Sequence, residues 1–506
     1  MANKELETAV AVIQEGEGSA AGHLAELGYA PQLQRTRGQL GIQCLLISLF
    51  ALPFGYVTGF STGLIGGGAV SLLWGFILVG FMQECVAISL GELASAFPTA
   101  AGPYYWVYQL APSSIRVPLS YATGVVYTLC LWMLNLGTHM ATTTGIISCI
   151  YIYKPDYEAP AWLSVGNKGF AVLDMINSAV TAATIVIISA TLLATHKSGF
   201  NSASFVFGSY LTEYSGWGQG WTFFIGLLPG CLVSCAIGMV TSMSEEVQHP
   251  EIQIPRAMVI GIPAATISGV ILAISMLFTM PPPEDLLNAP GGLPVPYFFK
   301  TVLYLLLLSA GLMACTANQF VSSRATWAFA RDGAVPFSRL IAQVDGRAQP
   351  RNALLASTFS QMGFALITLG STAALNAFFG VGIIGAEVAY GIPIGLNLLT
   401  HRRAVEGARF HAGKMGWVVN SISLVWMCLC LVIFCMPVQL PVTLLTMNWA
   451  SVVLLGCLAL SAVWYLFVAR HIYRGPPASA ALHHQKTQQG AAFSATSDDK
   501  LPVGQV

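Results

Sequence analysis

Charge is the scarcest ingredient of this chain. Asp, Glu, Lys and Arg make up 9% of its 506 residues and balance to a net charge of zero. Soluble domains carry roughly 25% charged residues, so a soluble globular fold is excluded. There is no dense basic run, which removes the electrostatic footprint of a nucleic-acid binder. None of the eleven cysteines forms a CxxC pair. They lie in apolar runs, as Cys44, Cys85, Cys231, Cys315 and Cys457 do, and read as small apolar residues rather than a disulfide or metal framework. The polar loops hold no nucleophile–base constellation or metal-ligand cluster, so neither an enzyme nor a bound cofactor is expected. A channel is disfavoured because there is no repeated filter sequence or charge ring. The N-terminus, MANKELETAVAVIQEGEGSA, lacks a charged-then-apolar signal pattern, so the first span is expected to direct insertion itself.

What the chain has instead is hydrophobic length. Apolar residues supply 55% of it, in runs at about 40–65, 70–93, 118–150, 170–195, 221–242, 258–280, 297–321, 353–371, 374–399, 417–437 and 449–469. Each reaches the roughly twenty residues that a bilayer-crossing helix needs, and 118–150 exceeds it without being long enough for two spans and a turn. The expectation is an all-α polytopic membrane protein with the lipid bilayer as its solvent. Its transmembrane domain covers 39–470, between a mobile tail at 1–38 and a disordered tail at 471–506.

Lys and Arg in short loops set orientation. Lys4, Arg35 and Arg37 precede the first run, and Arg324, Arg331, Arg339, Arg347 and Arg351 share one loop. Arg402, Arg403, Arg409 and Lys414 lie in another, and Arg470 and Arg474 follow the last run. All four segments are expected to be cytosolic, which demands an even number of crossings between Arg37 and Arg324. Only seven runs lie there, so a crossing is hidden or missing, and the short interval Tyr157–Phe170 is where the chain is lean.

Two runs carry helix breakers at mid-depth. In Trp221–Arg256, Pro229-Gly230 is followed by Ser234 and Gly238, then by Glu245-Glu246 at the far end. In the first run, Pro53 and Gly55 precede Gly59, Gly63 and the triplet Gly66-Gly67-Gly68. Backbone groups freed by such breaks must face protein or a wet cavity, and paired broken helices near the midplane are how many secondary transporters build a substrate site. The plainer reading is that the glycines allow close helix packing.

Ionisable groups inside spans are costly and therefore candidate functional groups. Glu387, in the middle of its run, is the strongest, as a partner for a cationic substrate group or as a proton carrier. Glu84 and His139 read better as structural, and packing is the better reading for Tyr127 and Trp132. Thr316, Gln319 and Ser323 share a helical face that suits hydrogen bonds to neighbouring helices. Gly91–Trp106, with an acid, Pro98, Gly102-Pro103 and three aromatics, interrupts the apolar pattern as an interfacial or re-entrant segment does. It can line a gate or form an aromatic belt.

Several stretches resemble the fungal amino acid/choline permeases of the amino acid–polyamine–organocation superfamily: GELASAFPTAAGPYYW at 91–106, SEEVQHPEIQIPRA at 244–257, SRATWAFARDGAVPFS at 323–338, YGIPIGLNLL at 390–399 and VQLPVTLLTMNWASV at 438–452. The resemblance runs from about Gly41 to Ala469. It implies twelve spans, ten of them in two inverted five-span repeats, against about eleven apparent here with the fourth shortened or missing. It implies substrate held between unwound parts of spans one and six, which are Ala51, Leu52, Pro53, Phe54 and Gly55 and Ser234, Cys235, Ala236, Ile237 and Gly238. It gives Glu245 and Glu246 a gating role. The function it implies is proton-coupled import of amino acids, choline, GABA or polyamines by alternating access, in the plasma membrane or the vacuolar membrane, with both termini cytosolic if all twelve spans are present. Departures are the lean fourth-span region and Glu387, where the relatives are more often neutral. The other reading is a non-transporting nutrient sensor or an inactive paralogue.

Overall fold

The computed structural model describes residues 22–153, 174–196, 199–287, 294–346, 348–366, 374–443 and 447–477. The expected gap in the fourth span, at Tyr157–Phe170, falls outside them. Among the described residues the regular elements are helical, and β-structure is limited to two isolated bridges, Arg37 with Val247 and Gly67 with Leu211.

The principal helices are α1 (Gln39–Phe50), α2 (Leu52–Thr58), α3 (Phe76–Ala96), α4 (Pro103–Leu110), α5 (Arg116–Tyr153) and α6 (Asp174–Thr195). They continue as α7 (Leu228–Ser234), α8 (Pro250–Thr279), α9 (Pro294–Arg331), α10 (Arg351–Ala365), α11 (Ala374–Leu399), α12 (Met415–Ile433) and α13 (Ala450–Trp464). Nine helical stretches among the described residues are long and apolar enough to cross a membrane. The runs expected at 170–195 and 353–371 correspond to the shorter apolar part of α6, Ala179–Thr195, and to α10.

Burial sorts the spans. The apolar window of α11 is 89% buried and that of Gln219–Glu246 is 78% buried, whereas that of the last span is 11% buried. The first two are therefore central. The last presents Leu455, Leu460 and Phe467 outward, an arrangement that suits lipid and not water. The central helix α11 lies along α5, α8 lies along α3, and α9 lies along α5.

The segments flanking the spans are more ordered than expected. Within 22–38, Leu24, Leu27, Tyr29 and Leu33 are buried, so the mobile tail does not extend to residue 38. Four apolar side chains cover the ends of the helices, and that burial opposes the entropy that would otherwise free the segment. At the other end Tyr473 is buried and its hydroxyl lies 2.9 Å from Ser120 Oγ. Gln109 Nε2 donates to the Pro477 carbonyl at 3.4 Å. Tyr473 and Pro476, within the expected disordered segment at 471–506, are thus packed, while His471 and Ile472 are exposed.

Candidate functional site

The break in the first span is a single residue. Ala51 takes a left-handed conformation, φ 36° and ψ 49°, which ends α1, and α2 restarts at Leu52 with Pro53 in its first turn. Left-handed geometry costs an L-residue roughly 1–2 kcal/mol. It is held by the Ala51 N–H donating to the Ile47 carbonyl at 3.1 Å, while the Ala51 carbonyl accepts from Phe54 and Gly55 N–H at 2.9 and 3.0 Å. Pro53 has no N–H, so the Leu49 carbonyl loses its helical donor.

The sixth span behaves differently from expectation. After α7 the chain tightens into a 3₁₀ helix, Cys235–Glu246. Cys235–Gly238 is therefore overwound rather than unwound, and Ser234 is the last α-helical residue before it. Side-chain hydroxyls explain how so long a 3₁₀ run persists. Thr241, Ser242 and Ser244 each donate to the carbonyl three residues back, at 2.8, 2.9 and 2.6 Å. Runs beyond three or four residues are uncommon and mark hinges.

The two interrupted spans cross at backbone distance. A Cβ on Gly59 would lie 2.8 Å from Pro229 Cα, and one on Gly66 would collide with the Gly226 backbone. The glycines after Gly55 thus serve the packing reading. Above that crossing lies a cavity of about 40 Å³, room for a few waters. Of the residues expected there, Ala51, Phe54, Gly55, Cys235 and Ala236 line it, and Leu52, Pro53, Ile237 and Gly238 do not. Ser234 lines a separate void of about 10 Å³. The cavity's polar wall is Asn318 on α9, Thr58 and Thr138. Asn318 lies outside the face of Thr316, Gln319 and Ser323 expected from the sequence, yet it is the polar residue of this helix that lines the cavity. Gln319 instead ties three helices together: it accepts from Asn135 and donates to Ser357 and Thr358 at 2.9 and 2.8 Å.

Glu387 stands apart from that lining. It is 3% exposed, and its Oε1 accepts from Gln83 Nε2 on α3 at 3.4 Å. It faces the second span, not the cavity.

Glu245 and Glu246 end the 3₁₀ helix in a dense ionic layer. Arg331 donates to both Glu245 oxygens, at 2.9 and 3.1 Å, and the Ala100 N–H adds a bond of 3.3 Å. Arg324 Nε donates to Glu246 at 2.7 Å, its Nη2 donates to Gln349 at 2.7 Å, and its guanidinium lies 3.4 Å from the Phe320 ring centroid. The segment before α1 closes over this layer. The Arg37 N–H donates to the Glu246 carbonyl and the Gln248 N–H to the Arg37 carbonyl, both at 3.0 Å. Tyr29 and Tyr104 both donate to Asp332 Oδ2 at 2.9 Å. Burial pushes the Asp332 carboxyl up to about 6, against the pull of Arg331 and the two tyrosine hydrogen bonds. Tyr104, Tyr105 and Trp106 are fully buried, so 91–106 lines this layer and is no aromatic belt.

Sequence reasoning placed Arg324 and Arg331 among loop charges and missed their buried pairing. It missed likewise the ion pair of Glu92 with Arg402, which Asn420 and the Ala412 N–H complete at 2.9 and 2.8 Å. The available signal was the neighbourhood of each charge: both SRATWAFARDG and GELASAF surround their ions with apolar and small residues.

The sequence has counterparts among known proteins. The family model described as "Amino acid permease" matches residues 39–458. Amino-acid permease BAT1 of Arabidopsis thaliana is 28% identical over 90% of this chain and 95% of its own length. Polyamine transporter TPO5 of Saccharomyces cerevisiae is 28% identical, covering 85% of this chain and 75% of its own length. The choline transporter of the same yeast is 27% identical, covering 86% and 81%. With the family's pattern spanning most of the transmembrane region, the chain belongs to the amino acid permease family.

Proposed function

We propose that this protein is a secondary transporter that imports an amino acid or a related amine, such as choline, GABA or a polyamine, driven by protons. The observation that carries the reading is the cavity bounded by two interrupted helices, at Ala51 and at Cys235. No charged side chain among the described residues lines it, so a substrate ammonium would meet carbonyl oxygens, that of Leu49 first, and the Asn318 amide. A carboxylate would meet N–H groups at the same breaks. The cavity has room for only a few waters, so entry of an amine as large as choline or spermidine requires the interrupted helices to part.

The ionic layer then acts as the gate on the basic face, which positive charge assigns to the cytosol. Glu245–Arg331, Glu246–Arg324 and the 22–38 segment close it, and their release exposes the cavity to that side. This is alternating access in a twelve-span, inverted-repeat fold, with both termini cytosolic and the plasma membrane as the site of action.

The test is uptake of radiolabelled choline, spermidine, GABA and a mixture of the common amino acids in a host lacking its own permeases. Uptake of at least one compound, dissipated by a protonophore, is expected. Abundant protein in the membrane with no uptake of any compound would instead support the non-transporting sensor.

A further inference from the structure

We propose that Glu387, Gln83 and Tyr390 form a proton-binding site separate from the substrate cavity, placed so that the 3₁₀ segment of the sixth span touches both. The inference rests on the transporter reading and names the group that carries its coupling ion.

Three observations converge. First, the Glu387 carboxyl is buried with one partner, the Gln83 amide at 3.4 Å, while its Oε2 has none among the described residues. Second, the Tyr390 hydroxyl, one helical turn further along α11, is also buried without a partner among the described residues. Two orphaned polar groups on one turn of a central helix are costly unless something else uses them. Third, the Tyr390 ring rests so closely on Gly238 that a Cβ there would collide with it, and it packs edge-on to Tyr127 with centroids 6.0 Å apart.

The surroundings decide the ligand. The titratable groups that interact with Glu387 are Cys235 of the sixth span, Cys430 of α12 and Tyr390 of its own helix; Tyr127 and Cys130 of α5 neighbour Tyr390, Cys231 neighbours Cys430, and Glu84 adjoins Gln83 on α3. None is a Lys, Arg or His. A buried carboxylate with no cation costs several kcal/mol, whereas the protonated acid carries no charge and donates a hydrogen bond. A substrate amine is a poor alternative occupant, because Glu387 does not line the cavity. The niche fits a proton.

Coupling follows from the 3₁₀ segment. Its Cys235, Ala236 and Met239 line the cavity, while Gly238 carries the Tyr390 ring. Any shift of the segment that admits substrate must move the ring, and with it the environment of Glu387. The proton bound at the Glu387 carboxylate comes from water on the outer side and is released as hydronium on the cytosolic side. One proton crosses with each loaded cycle, in addition to whatever charge the substrate itself carries.

The experiment uses the full-length protein in proteoliposomes, with whichever of labelled choline, spermidine, GABA or amino acids the wild type takes up. Two modes are compared: accumulation driven by an imposed pH gradient, and exchange at equal pH on both sides. Glu387→Gln is expected to lose gradient-driven accumulation at least tenfold while retaining exchange, and Tyr390→Phe to shift the pH dependence of accumulation without loss of exchange. Undiminished accumulation by Glu387→Gln overturns the proposal. So does parallel loss of exchange in both variants when each is monodisperse and binds the labelled compound like wild type. Weakened binding of the compound by Glu387→Gln moves the residue into the substrate site and overturns it as well. Should Glu387→Gln fail to fold, Glu387→Asp decides: a shifted pH optimum with intact exchange supports the site, and an unshifted one overturns it. If wild type itself neither accumulates nor exchanges any of the compounds, the transporter reading fails first.

Discussion

Tyr29 donates a hydrogen bond to Asp332 Oδ2 at 2.9 Å, joining the segment ahead of the first span to the end of α9 across 303 positions. Tyr104 donates to the same oxygen, and the Arg331 guanidinium lies 3.9 Å from the Tyr29 ring centroid. One carboxyl thus anchors the strap that covers the ionic layer.

That anchor makes closure sensitive to pH. The Asp332 carboxyl stands at about 6 when buried, against 3.8 when hydrated. The closed form therefore holds a proton that the open form has lost between those values, and acid favours closure. Closure strengthens about tenfold from pH 7 to pH 5, with Arg331 and Glu245 as the charged neighbours. Hydrogen exchange over residues 22–38, corrected for intrinsic rates, should slow correspondingly, and Asp332→Asn should abolish that dependence.

The Glu245–Arg331 pair should show the asymmetry of buried ion pairs. Glu245→Met leaves the Arg331 guanidinium with only Asp332, at 3.9 Å, for charge among the described residues, a loss on the order of 3 kcal/mol. Glu245→Met with Arg331→Met together should lose less than the two single variants summed. Melting temperatures of the four purified proteins check this, and simple additivity would exclude a coupled pair.

Close crossing of the interrupted spans predicts a sharp contrast between glycines. Gly59→Ala pushes a methyl to within 2.8 Å of the Pro229 backbone and should cost about 1–3 kcal/mol, read as a lower melting temperature and reduced membrane delivery. Gly220→Ala meets nothing within 4 Å and should be neutral.

Strain at Ala51 predicts the opposite sign. With φ at 36°, Ala51→Gly removes a penalty of about 1 kcal/mol and should raise the melting temperature. Ala51→Val, branched at Cβ, should lower it.

The long apolar helices and the presence of helix breakers in two of them were legible because Pro, Gly and hydropathy are local signals. Three features were not. The phase of Glu387 was hidden because α11 is apolar around most of its circumference, so no stripe showed which face met the cavity. Arg331 was hidden because its partner Glu245 lies 86 positions away, beyond any local pattern. The order of residues 22–38 was hidden because Leu24, Leu27, Tyr29 and Leu33 are dispersed among polar residues, and only the assembled ionic layer gives them a surface to cover.

The most direct test of the cavity is the uptake kinetics of Ala236→Leu, at matched amounts of protein in the membrane. Ala236 lines the cavity in the segment where its wall is formed by the sixth span, and the added isobutyl group should fill it. The account predicts a KM for the preferred substrate raised at least tenfold, or uptake reduced to background, with the melting temperature retained. Wild-type KM and rate in Ala236→Leu would contradict the placement of substrate between the two interrupted helices.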